Sequence, residues 1–179
     1  MTASALPDPS RRRLLRLGLL GTALLAGAGG IASLSSSRQS PPAAGYLILR
    51  AEDLQFLQAL APVILAGAWP AADRTQIEAE LFAAIDDGLA RVSPAMLQQI
   101  RQLFDVVASP LTRGPLTGVW QAWADTPHEQ VQAFLLRWRD SALDLLRQGH
   151  NALLQMVLMA WYGNPRAWAH CGYPGPPPV

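Results

Sequence analysis

Between Glu52 and Tyr162 the apolar residues recur at intervals of three and four, punctuated by proline, serine and threonine, and no stretch alternates apolar with polar. That spacing places apolar side chains on one face of a helix, whereas a half-buried strand needs a period of two. The chain is therefore predicted to be all-α, a compact bundle of about five helices. The first runs from Glu52 to about Ala68 on Leu54, Leu57, Leu60, Ala61, Ile64 and Leu65, with a kink at Pro62, which has no N–H to donate. The second starts at Asp73, whose carboxylate is expected to cap free amides while Gln76 reaches back. Its stripe is Ile77, Leu81, Ile85, Leu89 and Val92, with Asp86 and Asp87 on a solvated face. Ser93-Pro94 opens the third, since serine caps and proline suits a first turn, and Ser109-Pro110 closes it.

Leu111 to Asp125 holds two glycines, one proline and two tryptophans, and reads as a loop with one helical turn around Leu116 to Ala122. Thr126-Pro127-His128-Glu129 combines a cap, an N1 proline and a capping-box acid. The periodicity that follows reaches Tyr162, too long for one usual globular helix, so a break is expected near Arg139 to Ser141, with Gly149 a second candidate. Gly163-Asn164-Pro165 is expected to end the last helix through a residue tolerant of positive φ. Tyr46 to Leu49 reads as an extended lead-in, because no second strand exists to pair with it.

Ahead of this body lies a targeting pattern. Residues 1–32 form a signal peptide: a polar start with four arginines, an apolar run from Leu17 to Ile31 and a small-x-small site at Ala26-Gly27-Ala28. About 15 apolar residues fall short of the roughly 20 that span a bilayer. Ser10, Arg11, Arg12, Leu14 and Leu15 match the twin-arginine export motif, and five glycines keep the run less apolar than an ordinary secretory signal. Periplasmic delivery follows, with an ordinary secretory signal whose start happens to hold an arginine run, or a retained N-terminal membrane anchor, as the alternatives. Residues 33–45 are rich in Ser, Pro and Ala and read as a flexible linker; 46–163 form the helical domain, and 164–179 an extended Pro/Trp/Tyr-rich tail packing on the domain or on a partner.

Cleavage after Ala28 leaves ten arginines against twelve acidic residues, a charge of −2 that gives no nucleic-acid surface. The single Cys171 has no second cysteine to bridge to, so the fold must rest on packing. No Gly-rich phosphate loop, Cys-x-x-Cys-His haem site, zinc spacing or Gly-x-Ser-x-Gly elbow occurs, so no cofactor and no catalytic residue are assigned to this chain. His128 reads as an inert first-turn residue, and His150 as a core or interface histidine. The adjacent His170 and Cys171 lack further ligands.

The aromatic residues carry more. Trp138 and Trp161 lie on periodic faces and read as core. Trp120, Trp123 and Trp168 are expected in loops and are candidates for a partner interface, with core burial the other reading. Arg137 and Arg139 flank Trp138 and point away from it, to solvent or to a partner's acids. Tyr173, Pro174 and Pro176 join Trp168 in a strip that loses little entropy on docking.

Trp161-Tyr162-Gly163-Asn164-Pro165, then Trp168 and Gly172-Tyr173-Pro174-Gly175-Pro176, together with the twin-arginine leader, resemble the gluconate 2-dehydrogenase subunit 3 family. The likeness extends over the chain, through Leu60-Ala61-Pro62-Val63-Ile64-Leu65 and Phe134-Leu135-Leu136-Arg137-Trp138-Arg139-Asp140-Ser141. It departs from the pattern at Arg50, where relatives place a Ser or Thr cap, and at His170-Cys171. The resemblance implies a non-catalytic small subunit bound to a large FAD-dependent dehydrogenase of the GMC type acting on an alcohol or sugar. It further implies a c-type cytochrome reached through that complex, and export of the assembly by the twin-arginine translocase on this subunit's signal. The competing reading is a stand-alone periplasmic binding module or chaperone that releases its client after export.

Overall fold

The computed structural model describes residues 40–69 and 73–175, and Pro41 onward forms one compact unit. The signal residues Ser10, Arg11, Arg12, Leu14 and Leu15, most of the linker, and Pro176 lie outside the described residues. The fold is all-α: α1 (Ala51–Ile64), α2 (Arg74–Arg91), α3 (Pro94–Ala108), α4 (Pro110–Thr117), a 3-10 turn (Trp123–Asp125), α5 (His128–Arg139), α6 (Asp144–Tyr162) and α7 (Pro165–Cys171). No strand occurs among the described residues. Two short helices, α4 and α7, add to the five expected.

The lead-in to α1 is tied down by charge. Asp86, far along the chain in α2, accepts the backbone N–H groups of Leu47 (2.6 Å), Ile48 (2.9 Å) and Leu49 (2.8 Å). Three amides on one carboxylate satisfy donors that a single extended segment cannot pair with itself. This corrects the solvated-face reading: Asp86 is 4 % exposed. Burial and the nearby Asp86 charge both push the Tyr46 phenol above its ordinary pKa.

At the start of α1, Arg50 does what a serine cap would not. Its own N–H donates to the Asp53 carboxylate at 2.9 Å, its guanidinium holds that carboxylate in a two-point grip, and Nη1 reaches Asp105 of α3 at 2.7 Å. The helix start is thereby pinned to α3 by a buried ion group. At the far end, Pro62 lies in the last turn and α1 stops at Ile64, short of the expected Ala68, with the Leu65 N–H closing on the Ala61 carbonyl at 2.9 Å.

Two expected caps are not made. Asp73 has φ 57° and ψ 30°, a left-handed backbone in place of the extended one a capping residue adopts, and its carboxylate takes no α2 amide, while Gln76 bonds forward to Glu80. Thr126 Oγ1 donates to the Ala122 carbonyl at 2.8 Å, closing the 3-10 turn, so α5 begins after Pro127 without a capping box. Ser93 does cap α3, accepting the Met96 N–H at 3.3 Å, with Pro94 at N1.

The segment expected to be a loop contains α4. Ser109 ends α3, its N–H donating to Asp105, and its carbonyl accepts the Arg113 N–H at 2.8 Å as the first bond of α4. Proline at the start and Gly118 at φ 79° after the end bracket this helix. The break between α5 and α6 falls at Asp140–Leu143, where it was expected, and Arg147 stitches it by bonding both the Ser141 carbonyl and Asp144. Gly149 is not a break. It lies inside α6 against the Trp138 ring, where a Cβ would come within 2.6 Å of Cζ3.

The core is aromatic at its centre. Phe56 of α1 meets Trp123 at 4.8 Å, Phe104 at 6.1 Å and Phe134 at 6.4 Å, and Phe134 meets Trp138 edge-on at 4.8 Å. Of the three buried indoles, two spend their N–H groups on carbonyls exposed by helix ends, Trp123 on Val107 (2.8 Å) and Trp138 on Leu116 (2.9 Å), while the Trp161 Nε1 has no acceptor.

Candidate interaction surface

The residues assigned to a partner interface separate into three environments. Trp123 is the correction: it is 3 % exposed at the core's centre, because the 3-10 turn folds it inward to bond Val107. A loop position has no periodic face, so burial there is invisible to a helical-wheel argument. Trp120 and the Trp168–Tyr173 pair remain at the surface, and no ring contact among the described residues joins them.

The C-terminal strip is more structured than an extended tail. Gly163 stays right-handed at φ −68°, without the positive φ expected, and Asn164 opens a new helix by accepting the Arg166 N–H at 3.0 Å, with Pro165 at N1. Asn164 and Arg166 both reach Glu80 of α2 at 3.3 Å, and Ala167 is fully buried. Half-buried Trp168 donates to the Tyr162 carbonyl at 2.9 Å. Tyr173 stands edge-on to it at 5.4 Å, and Gly175, at φ 95°, packs so near the ring that a Cβ would lie 3.2 Å away. Tyr173 and Pro174 are exposed, as are Tyr162 and Met159 in the last turn of α6.

Trp120 is the most exposed tryptophan, at 73 %, yet its ring lies directly over Gly114, where a Cβ would come within 2.4 Å. Beneath it is Arg113, 8 % exposed, whose Nη2 donates to the Trp120 carbonyl at 3.4 Å and whose Nε has no acceptor. Burial pulls the Arg113 pKa below the ordinary arginine value. Arg137 of α5 lies across Gly118, filling the space a side chain there would need. Arg139, by contrast, pairs with Asp140 at 2.8 Å, which lowers the Asp140 pKa.

A groove of about 330 Å³ runs between the end of α1, α5 and α6, walled by Ile64, Leu136, Leu154 and Leu158 with His128 and His150 at its polar edge. His150 is buried and its Nδ1 lies 3.2 Å from Asn151 Oδ1. Cys171 is exposed, its thiol on the Trp168 carbonyl at 3.4 Å. Among the described residues no three His, Cys, Asp or Glu side chains gather in a metal-binding group, and no helix is long and apolar enough to cross a membrane. No family model, curated protein or solved structure matches this chain.

Proposed function

We propose that this chain is the non-catalytic small subunit and export escort of a periplasmic FAD-dependent dehydrogenase of the GMC type, one acting on an alcohol or sugar. The large subunit would hold the flavin, with a c-type cytochrome as a further member of the assembly. The observation that carries this reading is the C-terminal corner. The residues with the family likeness, Trp161 to Pro165 and Gly172 to Gly175, build a helix-capped knuckle that directs Tyr162, Tyr173 and Pro174 outward. Exposed aromatics on a braced support suit a standing protein contact better than a free tail does.

The test is isolation of the full chain from the periplasm of its native host through a C-terminal tag. A stoichiometric flavoprotein, identified by flavin absorbance and by its own sequence, is the expected result. Recovery of the chain alone would favour the stand-alone module or chaperone, for which the α1/α5/α6 groove is the natural client site. Changing Arg11 and Arg12 to lysine keeps the charge but removes the guanidinium pair, so the chain and its flavoprotein should both remain in the cytoplasm. Periplasmic delivery of that double variant at wild-type level would remove the export-escort role.

A further inference from the structure

Six arginines, Arg50, Arg74, Arg91, Arg139, Arg147 and Arg166, have a carboxylate within 4 Å. Among the described residues Arg101, Arg113 and Arg137 belong to no ion pair, and the last two both pack on the short stretch from Gly114 to Trp120. A guanidinium buried as deeply as Arg113 is costly without an anion, and a single long bond to a neutral carbonyl offsets little of that cost. Exposed Arg137 adds a second positive charge across Gly118. In the same stretch Trp120 offers a broad apolar ring packed on Gly114.

We infer that the Trp120 corner is a docking site for an acidic segment of a partner protein, in which an apolar side chain packs on the Trp120 ring and a neighbouring carboxylate is taken by Arg137 above the buried charge of Arg113. Charge complementarity selects the occupant. A basic segment would meet two uncompensated cations, and a purely apolar one would leave both unanswered. Trp and Arg are also the residue types in which binding energy concentrates. The inference rests on the proposed function only for which protein supplies the segment.

The experiment uses the full chain and two fluorescein-labelled peptides, one alternating leucine with glutamate and one alternating leucine with lysine, read by fluorescence anisotropy. The acidic peptide should bind and the basic one should not. Binding should weaken as salt rises, and Trp120→Ala and Arg137→Gln should each reduce affinity by more than about tenfold. Both positions are on the surface, so circular dichroism and melting temperature should stay at wild-type values. Binding of neither peptide, equal binding of both, or acidic-peptide binding unchanged by either substitution overturns the inference. Binding to phosphatidylcholine vesicles doped with phosphatidylglycerol, lost in the same two variants, would overturn it in favour of a membrane surface. None of these readouts involves a flavoprotein, so failure to recover one in the periplasmic isolation leaves this result standing.

Discussion

Replacing Asp86 with alanine removes the acceptor of three backbone amides at once, and the structure bounds what that costs. Hydrogen bonds to a charged group contribute about 1.5–3 kcal/mol each, so three counted separately would exceed what one residue usually supplies. The three amides are not equivalent. Leu47 is 65 % exposed and its N–H recovers water readily, whereas Leu49 is fully buried and its N–H has nowhere else to go. The chain also has an escape, since the lead-in can peel off α2. Peeling returns the amides to water but exposes the Leu49 side chain, at about 2 kcal/mol, and part of Tyr46 and Ile48 besides. Because the cheaper route prevails, Asp86→Ala should destabilise by about 2–4 kcal/mol. Urea unfolding should show the midpoint falling. Hydrogen exchange should show the amides of residues 47–49 losing protection ahead of those in α3 and α5, the signature of local release. Asp86→Asn should fall between, because its amide group keeps one acceptor oxygen but turns a donor toward the remaining N–H groups. An unchanged midpoint together with full protection at 47–49 would refute the argument.

Gly149→Ala sets helix propensity, a gain of about 1 kcal/mol in an interior position, against a Cβ placed 2.6 Å from a Trp138 ring that is 1 % exposed and bonded to Leu116. Steric strain of about 1–3 kcal/mol should win, and a raised melting temperature would show that the ring yields. Truncation after Asn164 removes α7, exposing the surface that Ala167 and half-buried Trp168 cover, so thermal unfolding should report a loss of about 1–3 kcal/mol; an unchanged melting temperature would mean the knuckle adds nothing to the body. Tyr173→Ala, at a half-exposed position, should leave melting unchanged while weakening retention of the co-isolated partner, and unchanged retention would clear Tyr173 of an interface role.

The long helices were readable because each carries an apolar stripe, and the α5–α6 break because Ser141 interrupts one. The α4 helix was hidden by Gly114 and Pro115, which depress helix propensity, although Pro110 and Gly118 bracket it in the order helices favour. Asn164-Pro165 and Gly172 mark α7 in the same way, obscured by the aromatics between them. Asp73 and Thr126 are the right residue types for caps, but capping depends on a backbone conformation and a free hydroxyl that composition does not reveal. Asp86 was misread because its partners lie 37 to 39 residues away, and a helical wheel knows nothing of distant amides. Of the residues proposed for an interface, Trp120 and Trp168 could be singled out as tryptophans in expected loops and Tyr173 as an aromatic of the tail. The arginines around Trp120 could not be joined to it, since Arg113 precedes it by seven residues and Arg137 comes from another helix.

Ser109 is at once the cap that closes α3 and the threshold of α4, so one residue separates the two helices. The turn after α4 is then closed by Thr117, which donates to the Arg113 carbonyl at 2.7 Å and accepts the Val119 N–H at 3.1 Å. From Phe104 in the core to the Trp120 ring there is consequently no run of unconstrained torsions, and the indole is carried as if on a rigid bracket. A protein that lands on it has no loop to order, so the entropy usually forfeited in immobilising a surface segment is forfeited here during folding. Lengthening the α3–α4 joint by a single glycine should therefore slacken association at Trp120 while leaving every contact residue in place.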